Sequence, residues 1–317
     1  LAEIYGKDEN TPIYSIKNDN EEIKITDIYA SDKVGNKGNS YTGNVSSVYY
    51  APLEKAFEND TLIFSSDNAS PFKYAIDGNT LNVSFSTTHP VGIKNVKLAG
   101  NDIHVDGYST EWGFSCKIDE NQDIKDNSDI DFTFTLFDEA GNEEISKTQK
   151  NSSNQIIYYA PLKESCKSLS FISDNEKAGL VKNSDVLTLS LNASHKVNIK
   201  KLEVAGESVN TDKSVFIDKW NIDYVVMGDE KIKDNSKVEF RFVLCDEAGN
   251  IEYDLSDDNI DDKDSITYYA PIENVFDDFR FESDNKVNNL ARNGDTLTVS
   301  FTTTHPINIS EAKINGI

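Results

Sequence analysis

The sequence has little positive charge and no long apolar run. Its 317 residues contain 31 Lys and Arg against 55 Asp and Glu, a formal net charge of −24. Such an acidic chain is repelled by nucleic acid and by anionic membrane surfaces, so we expect neither as a partner. No stretch of about 18 apolar residues occurs, and no basic segment precedes an apolar core near Leu1. The sequence therefore predicts neither a membrane span nor a signal peptide.

Cysteine is also scarce, and its positions do not repeat along the chain. The three cysteines are Cys116, Cys166 and Cys245. An odd number at unrelated positions does not form a repeated disulfide framework. We expect them to serve as partly buried apolar side chains. A Cys166–Cys245 disulfide is the alternative, because secreted compartments permit disulfides without requiring them.

Motifs that carry catalysis are missing. The sequence has no Gly-rich phosphate loop, no Ser/His/Asp order and no pair of carboxylates that stands out from the acidic background, so we predict no enzymatic activity. His89, His195 and His305 recur once per copy of a repeat, whereas a zinc site needs three or four convergent ligands. We expect each of them to bond its own loop at a strand end. His104 stands alone and indicates nothing.

What the sequence does contain is a repeat built around a turn motif. Asp-Glu-Ala-Gly-Asn occurs at 138–142 and again at 246–250, and Asp-Lys-Val-Gly-Asn occurs at 32–36. Each full copy follows an alternating apolar run, such as 130–136. Aspartate can bond the backbone two residues on, and glycine tolerates a positive φ. The motif therefore predicts the corner of a β-hairpin.

Four further landmarks recur about 110 residues apart, a period too long for a solenoid repeat and typical of a small domain. They are a Ser-Asp-Asn triplet at Ser66, Ser173 and Ser283, an alternating run at Leu81, Leu187 and Leu297, a Thr-His-Pro-like turn at His89, His195 and His305, and a Tyr-Tyr-Ala-Pro segment beginning at Tyr49, Tyr158 and Tyr268. We predict a half-repeat at 1–50, whole domains at 51–160 and 161–270, and a half-repeat at 271–317. A frame with boundaries after Gly100 and Gly206 is the alternative.

The whole repeats predict an all-β fold of tandem antiparallel β-sandwich domains. Each copy shows about seven short alternating segments, the number expected of an immunoglobulin-like sandwich. Trp112 and Trp220 occupy equivalent positions and are expected to anchor the two cores between their sheets. Proline in the Tyr-Tyr-Ala-Pro segment favours a short, stiff junction. The domains are therefore expected to form an elongated, semi-rigid rod.

The motifs together carry a family resemblance. Gly-Asp-Thr-Leu-Thr-Val-Ser-Phe at 294–301, Thr-Thr-His-Pro at 303–306, Ile-Asn-Gly at 314–316 and the turn before a tyrosine-rich strand resemble the bacterial Ig-like repeats of large surface and secreted proteins of Gram-positive bacteria. The resemblance covers almost the whole chain and implies an extracellular or cell-surface location. It indicates fold more than function, because such repeats serve as stalks, adhesin segments and accessory modules of enzymes.

We therefore expect a non-catalytic structural spacer. Its partners are neighbouring domains of the parent chain or further copies, because the terminal half-repeats could complete one another by strand complementation, head to tail. One alternative is an adhesin segment that binds a host protein or glycan through its loops. Another is an accessory module of a secreted glycan-degrading enzyme.

Calcium is the one cofactor worth considering. Asp257, Asn259 and Asp261 have the alternate spacing of a calcium loop. However, the sixth position is Asp262, where an EF-hand needs glycine, and the twelfth is Tyr268, where it needs glutamate. We expect a solvated acidic loop tip and no bound cofactor, with Asp257 and Asp261 as the calcium candidates.

Overall fold

Strands make up most of the regular structure of the chain. The computed structural model describes residues 3–5, 12–28, 32–38, 41–68, 73–119, 122–152, 154–228, 232–259, 265–287 and 289–313. The chain divides into two compact units, which we call unit 1 (Leu1–Ala160) and unit 2 (Pro161–Ile317). Both consist of curled, mainly antiparallel sheets, which confirms the all-β prediction. The finer division at 50 and 270 stays a prediction.

Unit 1 is built from short strands around one long strand. Its strands are β1 (Glu3–Tyr5), β2 (Pro12–Ser15), β3 (Glu21–Ile28), β4 (Tyr41–Tyr49), β5 (Ile63–Ser66), β6 (Tyr74–Ala75), β7 (Thr80–Leu98), β8 (Asn101–Ile103), β9 (Ser109–Lys117), β10 (Ser128–Asp129), β11 (Phe132–Phe137), β12 (Ile145–Thr148) and β13 (Ile157–Tyr158). A single helical turn, α1 (Leu53–Ala56), follows Pro52, and 3-10 turns lie at Asn59–Thr61 and Gln149–Asn151.

From its helical turn to β22 (Thr267–Tyr268), unit 2 repeats the strand order that unit 1 shows from α1 to β13, and two further strands follow. Its strands are β14 (Cys166–Ser173), β15 (Leu180–Val181), β16 (Val186–Val204), β17 (Glu207–Ser208), β18 (Ile217–Val225), β19 (Ser236–Lys237), β20 (Phe240–Asp246), β21 (Tyr253–Ser256), β22 (Thr267–Tyr268), β23 (Phe276–Ser283) and β24 (Leu297–Thr303). Its helical turn is α2 (Leu162–Ser165), and 3-10 turns lie at Asp257–Asn259 and Ile272–Asn274.

The long strands β7 and β16 correct the predicted Thr-His-Pro turn. We expected the runs at 81–85 and 96–98 to be separate strands, but β7 continues through both. Its first half pairs with β5 and β9, and its second half pairs with β8 and β11. The pairing with β9 shifts register between Ser86 and Val91, which spans the motif. β16 continues in the same way although Lys196 follows His195, so the chain changes neighbours without reversing whether or not a proline is present.

Alternation along the strands determines which side chains form the core. In β7 the residues Leu81, Val83 and Phe85 are buried while Asn82 is exposed, as the period of two predicts. The Phe85 and Phe134 rings stack with centroids 4.7 Å apart. Removing such a buried ring from a close-packed interior costs about 3–5 kcal/mol.

The predicted hairpin corners are confirmed. β11 and β12 pair antiparallel across the Asp-Glu-Ala-Gly-Asn turn, and β20 and β21 do so across its second copy. Gly141 and Gly249 have φ of 77° and 87°, the left-handed region that the turn requires. The apolar pattern of β12 is weak, because Ile145 is the one apolar residue of that strand.

The two tryptophans differ more than the repeat predicts. Trp220 is buried, whereas Trp112 is only partly buried. Each indole N–H donates a 3.0 Å hydrogen bond to a carbonyl of the long strand, that of Val91 or Val197. The Tyr-Tyr-Ala-Pro segment also departs from expectation, because β13 ends at Tyr158 and the proline opens the helical turn α2 instead of a strand.

Candidate functional site

In two of its three copies the recurring histidine lies in the middle of a long strand, and in unit 1 two carboxylates enclose it. His89 is fully buried within β7. Its Nδ1 lies 2.7 Å from Oδ2 of Asp19, and its Nε2 lies 3.2 Å from Oδ2 of Asp138. The ring of Tyr50 stacks on the imidazole with centroids 4.2 Å apart and planes 13° from parallel. We call Asp19, His89 and Asp138 the Asp–His–Asp cluster.

Asp19 connects the first predicted half-repeat to the whole repeat that follows it. It lies in the turn before β3 and accepts the backbone N–H of Ala51 at 2.6 Å. It also accepts the hydroxyl of Thr88, the residue before His89. One carboxylate thus contacts the Tyr-Tyr-Ala-Pro segment and the Thr-His-Pro segment together.

Asp138 brings the turn motif to the same place. It accepts two hydrogen bonds from Asn142, at 3.1 Å from the backbone N–H and 2.7 Å from Nδ2. The same Nδ2 lies 3.2 Å from the carbonyl oxygen of Ala51. The first and last residues of the Asp-Glu-Ala-Gly-Asn motif therefore close the turn on themselves and also reach the junction.

Unit 2 contains both halves of the arrangement on different histidines. His195 Nε2 lies 3.2 Å from Oδ2 of Asp246, as His89 does from Asp138. His305 Nδ1 lies 2.9 Å from Oδ1 of Asp234 and stacks on Tyr269 with centroids 4.2 Å apart. Two lesser contacts also recur, since Asp234 accepts the backbone N–H of Ala270 at 2.7 Å and the hydroxyl of Thr304. The cluster is therefore a property of the repeat.

Hydrogen bonding keeps these four buried or partly buried carboxylates ionised. Burial works to raise the pKa of Asp19, but hydrogen bonds from Ala51, Thr88 and His89 outweigh it and hold the pKa below its usual value. Burial opposes the charge of Asp138 in the same way, and Asn142 and His89 keep that pKa low. The pKa values of Asp234 and Asp246 are lowered against burial by equivalent partners.

The geometry restricts what the imidazole can do. A neutral imidazole has one N–H, so donating to both carboxylates requires protons on both ring nitrogens of His89. With both nitrogens engaged, neither is available to take a proton from a nucleophile. Among the residues that the structure describes, no three His, Cys, Asp or Glu side chains are grouped so as to hold a metal ion. The contacts of the cluster join the turn before β3, the strand β7 and the turn after β11.

The structure corrects the role predicted for the histidines. We expected each to bond its own loop, yet the partner of His89 at Nδ1 is 70 residues away. His104 is instead a surface side chain, with its Nε2 2.9 Å from Asp106.

Within the described chain no helix is long and apolar enough to cross a membrane.

Of the two calcium candidates, Asp257 lies in the part of the chain that the structure describes. Asp257 opens a 3-10 turn, and its carboxylate pairs with Lys237 at 3.1 Å. Asp261 lies outside the described residues.

All three cysteines are free and partly buried, so the Cys166–Cys245 disulfide is absent. Burial raises the pKa of the Cys166 thiol, as expected of an apolar stand-in.

Sequence reasoning missed the aspartates on the Nδ1 side of the ring. Asp-Asn recurs at Asp19, Asp126 and Asp234, and in each copy this carboxylate accepts the backbone N–H of the alanine in Tyr-Tyr-Ala-Pro. The asparagine that follows has a φ of 56° in all three copies. The recurrence of this pair at the domain period was the signal that could have identified the site.

Comparisons with known proteins add no family. No protein-family model matches the chain, and no curated protein matches it.

Proposed function

We propose that the chain is a non-catalytic structural array of Ig-like domains that acts as a spacer in a bacterial cell-surface or secreted protein. A spacer has to transmit position from one domain to the next, which requires junctions that do not swing freely. The buried core of each unit provides the rigid bodies, and the residues between repeats determine how firmly they are tied.

The observation that carries this proposal is the recurrent aspartate at the junction. In unit 1 Asp19 bonds the N–H of Ala51 and contacts His89, and in unit 2 Asp234 bonds the N–H of Ala270 and contacts His305. A residue of one predicted repeat is thereby tied both to the linking segment and to the next repeat. Hydrogen bonds to a charged group contribute about 1.5–3 kcal/mol each, enough to restrict a hinge.

Small-angle X-ray scattering of the intact chain tests the elongated shape that we propose. Three domain lengths of about 40 Å give a rod about 120 Å long with a radius of gyration of about 35 Å. A compact protein of this length has a radius of gyration of about 20 Å. A value near the compact one would contradict the spacer role.

A matched pair of variants tests the contribution of the junction. Asp234→Asn removes the charge that His305 and Thr304 contact, and scattering should show a wider range of conformations. Asp106→Asn makes the same change in an exposed His–Asp pair, with side chains more than four-fifths exposed, and should leave the profile unchanged. Equal effects of the two variants would mean that the junction does not restrict the array.

Head-to-tail assembly with a second copy is the self-association that we propose. Phe281 and Val299 on the β23–β24 pair are 58% and 43% exposed, whereas the equivalent Phe171 and Leu189 are each 2% exposed. Phe171 is covered by Phe240 of β20, with ring centroids 4.9 Å apart. Strands equivalent to β20 from another copy would cover the exposed face. Sedimentation that gives a monomer mass at high concentration would contradict this assembly.

The adhesin alternative is favoured by one surface feature. A shallow cavity of about 310 Å³ in unit 1 is lined by apolar, aromatic and charged side chains, among them Ile93, Lys94, His104, Asp106 and Phe137. An aromatic ring beside charged groups is a surface that glycans and proteins can use. An array of glycans and matrix proteins tests it, and binding that is lost in Phe137→Ala would favour the adhesin over the spacer.

A further inference from the structure

The Asp–His–Asp cluster contains a titratable base that cannot satisfy its surroundings in its neutral form. The charged groups placed against the ring of His89 are Asp19, from the turn before β3, and Asp138, from the turn after β11. The ring of Tyr50 stacks on one face of the imidazole. Asn142 donates two hydrogen bonds to Asp138, from its backbone N–H and its Nδ2. Water does not reach the imidazole, because the His89 side chain is fully buried.

Loss of a proton therefore changes the junction in a defined way. The Nδ1 contact with Asp19 is 2.7 Å long and the Nε2 contact with Asp138 is 3.2 Å long. Because the shorter contact is the stronger one, a neutral ring keeps the proton at Nδ1 and loses it at Nε2. Asp138 then faces a ring lone pair, and the contact with Asp19 is no longer an ion pair. The released proton passes to solvent.

We propose that the Asp–His–Asp cluster is a proton-dependent joint, tight while His89 carries protons on both ring nitrogens and loosened when the ring loses its Nε2 proton. This inference rests on the proposed role of the cluster as the tie between repeats. It adds that protonation of His89 controls how firmly the junction is held, which the spacer role does not require. The junction between the repeats would therefore become more flexible as the pH of the surroundings rises.

The sign of the pH dependence follows from the two kinds of group. The contribution of the doubly protonated ring is lost when the ring gives up its Nε2 proton, a loss that a rise in pH favours. The contribution of the carboxylates is lost in acid, as Asp19 and Asp138 take up protons below about pH 3.8. The joint is tight between these two limits.

Nuclear magnetic resonance of the intact chain with ¹⁵N-labelled histidine tests the inference directly. The sequence has only four histidines, so single His→Gln variants assign the imidazole signals. As the pH is raised we expect His89 to pass from a ring with two N–H groups to a ring with one, at Nδ1. Exposed His104 is the internal reference.

Amide hydrogen exchange measures the loosening. The N–H groups of Ala51 and Asn142 donate to Asp19 and Asp138. Their protection, corrected for the intrinsic pH dependence of exchange, should fall at least about tenfold as His89 loses its proton. The amide of Phe134 in the core should keep its protection.

His89→Gln should abolish this change, because the glutamine amide does not titrate. If that variant does not fold, the wild-type measurements decide on their own. A ring whose number of N–H groups stays the same at every pH at which the protein is folded, or protection of Ala51 and Asn142 that does not follow the ring, would overturn the joint. Both results would leave the spacer role intact, since that role depends on the scattering measurement.

Discussion

Replacement of Asp138 by asparagine is the sharpest test of the junction. The substitution keeps the shape of the side chain but removes the charge that His89 and Asn142 contact inside the protein. Hydrogen bonds to charged groups contribute about 1.5–3 kcal/mol, and breaking a buried pair costs about 3–5 kcal/mol. Because asparagine retains one acceptor oxygen, we expect a loss of about 3 kcal/mol in unit 1. For a urea slope of about 2 kcal/mol/M, the midpoint falls by about 1.5 M.

Tryptophan fluorescence measures this loss for each unit separately. Trp112 and Trp220 are the two tryptophans of the sequence, one in each unit. On a Trp220→Phe background the remaining emission reports on unit 1. Asp32→Asn is the matched control, because Asp32 closes the same type of turn on Asn36, at 2.9 Å and 2.7 Å, but is exposed. Equal midpoint changes in the two variants would refute the argument, because the turn alone would then explain the loss.

The same variant should show an altered response to acid. The pKa of Asp138 is held below its ordinary value of 3.8 in the folded state. A depressed carboxyl pKa stabilises the fold above the unfolded pKa, and this stabilisation is lost as pH falls through the folded value. Between about pH 4 and 2 the unfolding free energy of unit 1 should therefore fall less steeply in Asp138→Asn than in the wild type. Parallel curves would contradict this reading of the carboxylate.

Three further substitutions or titrations follow from the described residues. Trp220→Ala should cost about 3–5 kcal/mol and Trp112→Ala less, because Trp112 is only partly buried; calorimetry showing equal losses would count against the difference in burial. Gly249→Val should destabilise the β20–β21 hairpin by about 1–3 kcal/mol through its φ of 87° alone, because the space around its Cβ is open, and a neutral result in urea unfolding would argue against that geometry. Titration calorimetry with calcium should detect no micromolar site, and such a site lost in Asp257→Asn and Asp261→Asn would reverse the prediction.

Local patterns in the sequence were enough to predict the strands and their corners. The alternation through Leu81, Val83 and Phe85 depends only on the period of two, and it placed these residues in the core correctly. The turn at Gly141 depends on a positive φ that few other residues accept, so its position and hairpin were predictable too. Both rules act over a few residues and leave a direct trace in the sequence.

The Thr-His-Pro segment shows where local reasoning failed. A proline beside polar residues is typical of a turn. In β7 this segment is extended, because Val91 and Ile93 beyond it are buried as firmly as Phe85 before it. Val91 still pairs with β9, and Ile93 pairs with β11. A strand that pairs with different neighbours along its length needs no turn between them, and only the arrangement of the other strands decides this.

The sequence by itself determined the all-β character, the repeat period and the hairpin turns, because each follows from residues close together in the chain. Only the tertiary structure decided what the recurring histidine does. Its partners Asp19 and Asp138 are 70 and 49 residues away, and no spacing rule connects them to it. Burial matters because no water reaches the ring. A histidine that donates to a carboxylate on each side then needs a proton on each ring nitrogen.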